Sequence, residues 1–216
     1  MSLTIDVVSD VVCPWCFVGK RKLERALELY REQNPGKPEP TVLFHPYELN
    51  PDLPEEGVSR KGYYEQKFGP AKVKDIHARL EGVGKSVGIP FALESIPTQP
   101  NTRRIHALIE LAGDHGVHHA MKEAFMKAFF IDAIDLSKRE NIEAVAVAAG
   151  IPADAVTAHL DNPASLVSVE EEVGHAKAIG VQGVPFFIFN QKLAVSGAQD
   201  PEVLLGAMAE AEQETA

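Results

Sequence analysis

The spacing of the hydrophobic residues changes near the start of the chain. Residues 3–8 are rich in β-branched side chains and predict a buried strand. Beyond Cys13, apolar residues recur at helical spacing, which predicts a helix that stops at the Asn34-Pro35-Gly36 cluster. A second strand is predicted over residues 41–49, where β-branched and aromatic residues are again frequent before Asn50-Pro51. The chain therefore starts as strand, helix, strand.

Helical signals dominate the middle of the chain. Residues 58–170 contain no convincing strand pattern, whereas apolar residues at helical spacing occur in one segment after another. Several helix starts are recognisable: Asn101-Thr102 are cap candidates, residues 137–140 have capping-box spacing, and Asn162-Pro163 form an N-cap and first-turn pair. Gly180 can close the last of these helices. Residues 58–170 are therefore predicted to be an all-helical insertion.

Strand spacing returns in the last part of the chain. Residues 185–189 form an aromatic and aliphatic run, and Asn190-Gln191 is a hairpin turn candidate before a returning strand at residues 192–196. Residues 201–210 predict a closing helix. The predicted organisation is α/β, with one domain made of residues 1–57 and 171–216 and an insertion at residues 58–170.

Composition narrows the classes of partner. The chain has 216 residues, of which 45% are hydrophobic, and a net charge of −10. Nucleic acid is not expected as a partner, because phosphate binding needs a basic surface. No membrane association is expected either, since no apolar stretch approaches the roughly 20 residues needed to span a bilayer. The N-terminus shows no secretory signal, so we expect a cytoplasmic location.

The chemistry of the chain is predicted to lie in one tetrapeptide. Both cysteines occur in Cys13-Pro14-Trp15-Cys16, at the junction between the first strand and the first helix. In a reducing compartment a lone Cys-x-x-Cys indicates redox activity more than a structural disulfide. The helix N-terminus favours a thiolate at Cys13, which is the expected attacking group, and Cys16 is the expected resolving thiol. Pro14 is tolerated in the first helical turn.

Two other interpretations of the cysteine pair remain. A Cys-x-x-Cys is half of a zinc site, but a second cysteine pair is lacking and no histidine pair has a convincing partner spacing. The two thiols are alternatively inert and buried. Both are less favoured than redox chemistry, and no metal is expected.

A second site is predicted just before the aromatic strand. Gly183-Val184-Pro185 places a proline at the first residue of that strand, which is sterically allowed. X-Pro bonds have only a modest penalty for the cis form, and the residues alone leave cis and trans both open. The interest of Pro185 depends on where the fold places it.

Together these segments resemble a known family. The residues that carry the resemblance are 9–21 around Cys13-Pro14-Trp15-Cys16, Tyr47-Glu48-Leu49-Asn50-Pro51, Asn101-Thr102, His106, and residues 180–187 around Val184-Pro185. They resemble the FrnE branch of the DsbA-like thioredoxin-fold proteins over nearly the whole chain. The resemblance implies a thioredoxin fold, that is, a central mixed sheet flanked by helices, interrupted by the helical insertion.

The resemblance also implies functional roles. Cys13 would be the catalytic and Cys16 the resolving cysteine, with a cis-proline at Pro185 facing the pair and the Val184 backbone pairing with a bound substrate chain. The expected activity is thiol-disulfide exchange with a protein or small-molecule partner that carries a thiol or disulfide, and no cofactor is required.

Trp15 departs from the pattern of the periplasmic oxidases of the wider family, which carry a histidine between the cysteines. Without that donor the Cys13 thiolate is less stabilised, which makes a weaker oxidant. Reductase and isomerase activity are therefore predicted on equal terms with oxidation, and Pro14 and Trp15 are the expected modulators of the site.

Two further functions stay open. The chain also resembles a competing branch, the 2-hydroxychromene-2-carboxylate isomerases and kappa-class glutathione transferases, which generally have a serine at the position of Cys13. If the chain belongs to that branch, glutathione is a candidate thiol partner. The other alternative is a peptide-binding or chaperone-like module without catalysis, which would use the groove beside Pro185.

Overall fold

The structure is a computed structural model that describes residues 3–213. Strands and helices alternate first, helices follow, and a hairpin and a helix complete the chain. In chain order the elements are β1 (Thr4–Ser9), α1 (Pro14–Gln33), β2 (Thr41–Pro46), β3 (Val58–Ser59), α2 (Arg60–Phe68), α3 (Pro70–Ser86), β4 (Thr98–Gln99), α4 (Arg103–Asp114), α5 (His118–Phe130), α6 (Arg139–Ala148), α7 (Ala153–Asp161), α8 (Pro163–Ala178), β5 (Phe186–Phe189), β6 (Leu193–Ser196) and α9 (Pro201–Gln213).

The central sheet has the strand order β2-β1-β5-β6. Strand β1 pairs in parallel with β2 and antiparallel with β5, and β5 and β6 form an antiparallel hairpin. Asn190 and Gln191 have positive φ angles of 48° and 58°, as the two central residues of a type I′ turn do, and the backbone N–H of Lys192 donates to the Phe189 carbonyl at 3.0 Å. The mixed sheet and the hairpin turn confirm the sequence prediction.

One face of the sheet is packed by α1 and α9. Ile5 and Val7 alternate onto this face from β1, where they are fully or almost fully buried. They share one apolar cluster with side chains of both helices and of β5: Leu23, Ala26, Tyr30, Phe187, Phe189, Leu204 and Met208. The first and the last helix of the chain therefore pack together on this core.

The helices between β2 and β5 enclose a second apolar core. It contains Phe125 and Phe129 of α5 together with Ile105 and Leu108 of α4. The same cluster includes the turn after β1 and the first turn of α1, through Val11, Val12, Cys13, Cys16 and Phe17. The cysteine pair is thus buried where the sheet meets the helical segment.

The boundaries of that segment at residues 58 and 170 remain a prediction. Within residues 3–213 no helix is long and apolar enough to cross a membrane.

The structure corrects three local expectations. The 58–170 segment contains strands, because Val58–Ser59 pairs with Thr98–Gln99, although two-residue strands are too short to give an alternating pattern. Residues 137–140 do not form a capping box, since Lys138 is the N-cap of α6 and makes no side-chain cap hydrogen bond. Strand β2 ends at Pro46, before the predicted end at residue 49.

Gly19 allows helix α1 to pack closely against Pro185 and β5. A Cβ atom at Gly19 would lie 2.8 Å from Cγ of Pro185 and 3.3 Å from Cζ of Phe187. Both neighbours are buried ring side chains, so neither can move aside easily.

We therefore expect Gly19→Ala to lower the free energy of unfolding by about 1–2 kcal/mol, because overpacking outweighs the gain in helix propensity. Urea denaturation measures the change. The matched control is Gly174→Ala in α8, where a Cβ meets no atom within 4 Å. That variant should be as stable as the wild type or more stable by up to ~1 kcal/mol. Equal effects of the two substitutions would contradict the assignment of close packing at Gly19.

Candidate active site

The first cysteine lies at the N-terminus of α1. Cys13 is the N-cap residue, with extended backbone angles and no side-chain cap hydrogen bond, and Pro14 follows in the first turn. The backbone N–H of Cys16 donates to the carbonyl of Cys13 at 3.0 Å. Both thiols are free, and Cys13 and Cys16 are only 5% and 2% exposed. The structure therefore places the two cysteines on one helical turn, as the sequence predicts.

Cys16 holds its proton tightly. Burial raises the pKa of the Cys16 thiol well above its ordinary value, and the hydrogen bond to Cys13 and the charge of Cys13 act in the same direction. A backbone hydrogen bond at Asp10 and the positive charge of Lys122 act to lower that pKa, but they do not offset burial. Cys16 is therefore a protonated thiol at neutral pH.

The predicted second site lies directly beside Cys13. The Cys13 thiol is 3.6 Å from the carbonyl oxygen of Val184, a residue 171 positions away in sequence. The Val184–Pro185 peptide bond is cis. The backbone N–H of Gly197 donates to the Pro185 carbonyl at 2.8 Å, which ties this segment to the end of β6. The fold thus brings Cys13, Val184 and Pro185 together.

Pro14 and Trp15 form the partly exposed surface of the cysteine turn. The Trp15 ring packs against the apolar cluster of the helical segment. The Arg79 guanidinium of α3 lies 5.7 Å from the centre of that ring. Trp15 therefore links the cysteine turn to the helix α3 that covers it.

Beneath the cysteines lies a pair of buried polar side chains. Asp10 and His106 are both almost completely buried, and Nε2 of His106 lies 3.3 Å from Oδ1 of Asp10 and 3.1 Å from the Tyr47 carbonyl. A carbonyl only accepts hydrogen bonds, so Nε2 of His106 carries a hydrogen. The second Asp10 oxygen accepts from the backbone N–H of Leu49 at 2.9 Å. Asp10 therefore fixes the turn before Cys13 to the loop after β2.

A buried lysine completes this polar set. Lys122 of α5 is 1% exposed, and its Nζ donates to the carbonyl of Ser9 at 3.2 Å. Burial lowers the pKa of Lys122 to about 8, against the charges of Cys16, Asp10 and Cys13, which raise it. The sequence analysis missed Lys122. A signal was available, because the residue falls at helical spacing with Phe125 and Phe129, on the buried face of an apolar helix.

The segments after β2 and before α4 are joined by polar contacts. The buried Glu48 carboxylate accepts from Arg103 at Nε and at one terminal nitrogen, over 3.1 to 3.3 Å. The Asn101 amide donates to the carbonyls of Pro51 and Leu53, while its oxygen accepts from the backbone N–H of Arg103. These contacts join the motifs at residues 47–51 and 101–106, which are far apart in the sequence. The roles of Glu48 and Arg103 were not predicted.

A four-stranded mixed sheet of this order, with a helix starting at a cysteine pair beside a cis-proline, defines the thioredoxin class of fold. The chain belongs to the DSBA-like thioredoxin domain family, whose sequence profile matches residues 4–209. This finding confirms the predicted family and fold class.

Solved structures share the fold over almost the whole chain. A probable DsbA oxidoreductase from Streptomyces coelicolor is 28% identical, with a TM-score of 0.90 over 98% of this chain and 91% of that chain. A 2-hydroxychromene-2-carboxylate isomerase is 18% identical, with a TM-score of 0.70 over 98% and 97%. The cytosolic disulfide reductase DsbM from Pseudomonas aeruginosa, solved with GSH, is 16% identical, with a TM-score of 0.63 over 98% and 96%. For the last two the likeness concerns the fold.

The burial of Lys122 predicts a characteristic dependence of stability on pH. Its pKa is about 8 in the folded protein and has the ordinary value of 10.5 after unfolding. The unfolded chain therefore binds more protons between these pH values, so stability rises with pH across that window. Relative to Lys122→Met, the wild type should gain about 3 kcal/mol of unfolding free energy between pH 7 and pH 10.5.

Urea denaturation of the reduced proteins at several pH values measures this difference. Lys127→Met, at an exposed position of the same helix, controls for the loss of a positive charge. Parallel pH profiles for wild type and Lys122→Met would show that the lysine is not buried as a charged group.

Proposed function

We propose that this protein is a thiol-disulfide oxidoreductase. The observation that carries the proposal is the position of the free Cys13 thiol, at a helix N-terminus and 3.6 Å from the Val184 carbonyl. A helix N-terminus stabilises negative charge, which is what an attacking sulfur needs. A second thiol one turn along the helix supplies the resolving group.

In the reducing direction the exchange proceeds in two displacements. The Cys13 thiolate attacks one sulfur of a substrate disulfide, an S–S bond forms between them, and the other substrate sulfur leaves as a thiolate. Cys16 then loses its proton and attacks the Cys13 sulfur, which releases the first substrate sulfur and leaves a Cys13–Cys16 disulfide. The substrate gains two electrons and the enzyme loses two. A thiol reductant must return them before the next turnover.

The remaining site residues are assigned supporting roles in this proposal. The Val184 backbone, held beside Cys13 by the Pro185 segment, would pair with the extended chain around the substrate cystine, as strands pair at a sheet edge. Pro14 and Trp15 would tune the thiol pair. The chemistry needs no metal and no resident cofactor, and we propose a cytoplasmic location.

We propose that the site serves reduction or isomerisation as readily as oxidation. Trp15 offers no hydrogen-bond donor comparable to a charged histidine, and Cys16 strongly retains its proton. Neither feature favours the thiolates of the reduced state, which is the state that a strong oxidant must stabilise.

Loss of Cys13 is expected to abolish catalysis. Cys13→Ser should reduce insulin with dithiothreitol only at the uncatalysed background rate, because no sulfur remains to attack the substrate. Turbidity of the released insulin chain follows the reaction. Cys16→Ser should instead accumulate substrates as mixed disulfides, visible on non-reducing gels. A Cys13→Ser variant as active as the wild type would refute the catalytic assignment.

The same variants separate the competing functions. A glutathione-dependent isomerase would turn over an aromatic substrate only with glutathione and would retain that turnover in Cys16→Ser. The fold shared with 2-hydroxychromene-2-carboxylate isomerase and the DsbM structure with GSH support including this candidate. A module that only binds peptides would hold them equally well in Cys13→Ser and would show no exchange in the wild type.

The residue between the thiols is expected to set the redox potential. Replacing Trp15 by histidine introduces a donor that stabilises the Cys13 thiolate, so the potential should rise on the order of tens of millivolts. Equilibration with glutathione buffers, followed by alkylation of the free thiols, gives both potentials. In the wild type the fluorescence of Trp15, the sole tryptophan, provides an independent reading. An unchanged or lower potential in Trp15→His would contradict the assigned role of Trp15.

A further inference from the structure

The ammonium group of Lys122 is bonded to a peptide group next to the cysteine turn. Lys122, on α5, is 1% exposed, and its Nζ lies 5.8 Å from the centre of the Phe44 ring of β2. In residues 3–213 the one hydrogen bond of this Nζ goes to the Ser9 carbonyl, at 3.2 Å. The Ser9 carbonyl is therefore the group on which the charge of Lys122 acts most directly.

The other end of the same peptide group faces Cys16. The Ser9 carbonyl and the Asp10 N–H belong to one planar unit, and they point in opposite directions because this peptide bond is trans. The backbone of Asp10 forms a hydrogen bond that acts to lower the pKa of the Cys16 thiol. Only a donor has that effect, because it favours the thiolate, so the bonding group is the Asp10 N–H. Lys122 and the Cys16 sulfur therefore lie at the two ends of one peptide group.

A charge at one end of a peptide group is felt at the other end. A cation at the carbonyl oxygen polarises the amide and makes its N–H a stronger donor. Burial raises the pKa of Cys16, and the charge of Lys122 acts against this rise. Burial lowers the pKa of Lys122 to about 8, and among the groups that oppose this fall Cys16 has the largest effect. Cys16 is thus the main electrostatic partner of Lys122.

The other titratable groups around Lys122 are engaged elsewhere or neutral. Asp10, in the turn before α1, lies against His106. Lys20 of α1 forms an ion pair with a glutamate of α5 at 2.7 Å. His118, on the same helix as Lys122, is neutral at pH 7, because burial lowers its pKa to about 4 and neighbouring cations act in the same direction. The cysteine pair is therefore left as the group that the charge of Lys122 serves.

The balance at Cys16 changes once a substrate is attached to Cys13. In the free enzyme, burial, the hydrogen bond to Cys13 and the negative charge of Cys13 all raise the pKa of Cys16. In a mixed disulfide Cys13 carries no charge, so the two effects of Cys13 are largely lost. Burial is then opposed by the Asp10 N–H and by the charge of Lys122. Lys122 therefore has most influence on Cys16 at the resolving step.

We propose that Lys122 is a positioning residue for the resolving step: its charge, acting through the Ser9–Asp10 peptide group, favours the attacking Cys16 thiolate. Cys16 gives its proton to solvent, its sulfur bonds to the Cys13 sulfur, and the substrate sulfur leaves with the electron pair of the broken S–S bond. Lys122 stays protonated throughout this step. The inference rests on the proposed exchange function.

Single-turnover exchange measures the resolving step. Reduced protein is mixed rapidly with excess hydroxyethyl disulfide and quenched with acid at intervals, and mass spectrometry separates the mixed disulfide from the Cys13–Cys16 disulfide. Lys122→Gln keeps a donor for the Ser9 carbonyl but removes the charge, and Lys122→Met removes both. At pH 7 each variant should resolve its mixed disulfide about tenfold more slowly than the wild type, which corresponds to about one pKa unit at Cys16.

The matched control is Lys127→Gln, at an exposed position of the same helix. It removes a positive charge that does not contact the Ser9–Asp10 peptide group, so its mixed disulfide should be resolved at the wild-type rate.

The pH profile separates the charge of Lys122 from a structural role. Since burial lowers its pKa to about 8, Lys122 is charged at pH 7 and neutral well above pH 8. The ratio of the wild-type rate to the Lys122→Gln rate should therefore fall from about ten at pH 7 toward one at pH 10. A side chain that only supports the fold would give a ratio without this dependence on pH.

Three outcomes would overturn the role of Lys122. They are a wild-type rate in Lys122→Gln at pH 7, equal slowing in Lys122→Gln and Lys127→Gln, and a ratio of rates that stays constant with pH. If circular dichroism shows that Lys122→Gln does not fold, Lys122→Met takes its place, because it buries no polar group. A wild type that forms neither the mixed disulfide nor the Cys13–Cys16 disulfide would instead refute the exchange function, and this inference with it.

Discussion

The contact between the start of α1 and the Val184–Pro185 segment is the constraint on which the site depends. It places the Cys13 thiol 3.6 Å from the Val184 carbonyl, although the two residues are far apart in the chain. The approach is possible because Gly19 leaves no side chain between the helix and Pro185. The sheet holds the other end of this contact, since β5 pairs with β1 immediately before the cysteine turn. Helix, strand and thiol are therefore positioned by one packing arrangement.

The helical segment contributes more than a cover for the sheet. Its apolar core includes both cysteines, which is why Cys16 is shielded from water and keeps its proton. The same segment supplies charged groups to this interior, Lys122 from α5 and Arg60 from α2. Both charges are expensive to bury, and that of Lys122 acts on the Cys16 thiol. In the proposed exchange reaction, a positive charge at this place would favour a thiolate.

Much of the fold could be predicted because its signals are local. The change from strand to helical spacing around Cys13 marked β1 and α1, and Asn190 marked the hairpin, because asparagine tolerates positive φ. Asn162 was recognised as a cap, and its side chain does accept from the backbone N–H of Ala164. The ribbon of β3 and β4 was missed since two residues carry no periodicity. Its pairing is decided by contacts between segments.

The sequence by itself determined which thiols form the candidate site and their local geometry, because Cys13 and Cys16 are neighbours on one helical turn whatever surrounds them. A family resemblance added Val184 and Pro185. The tertiary structure decided the environment of those groups: Lys122 is buried and donates to the Ser9 carbonyl before the cysteine turn, and Asp10 meets His106. Burial and charge pairing depend on residues brought together from distant parts of the chain, and these set protonation and binding.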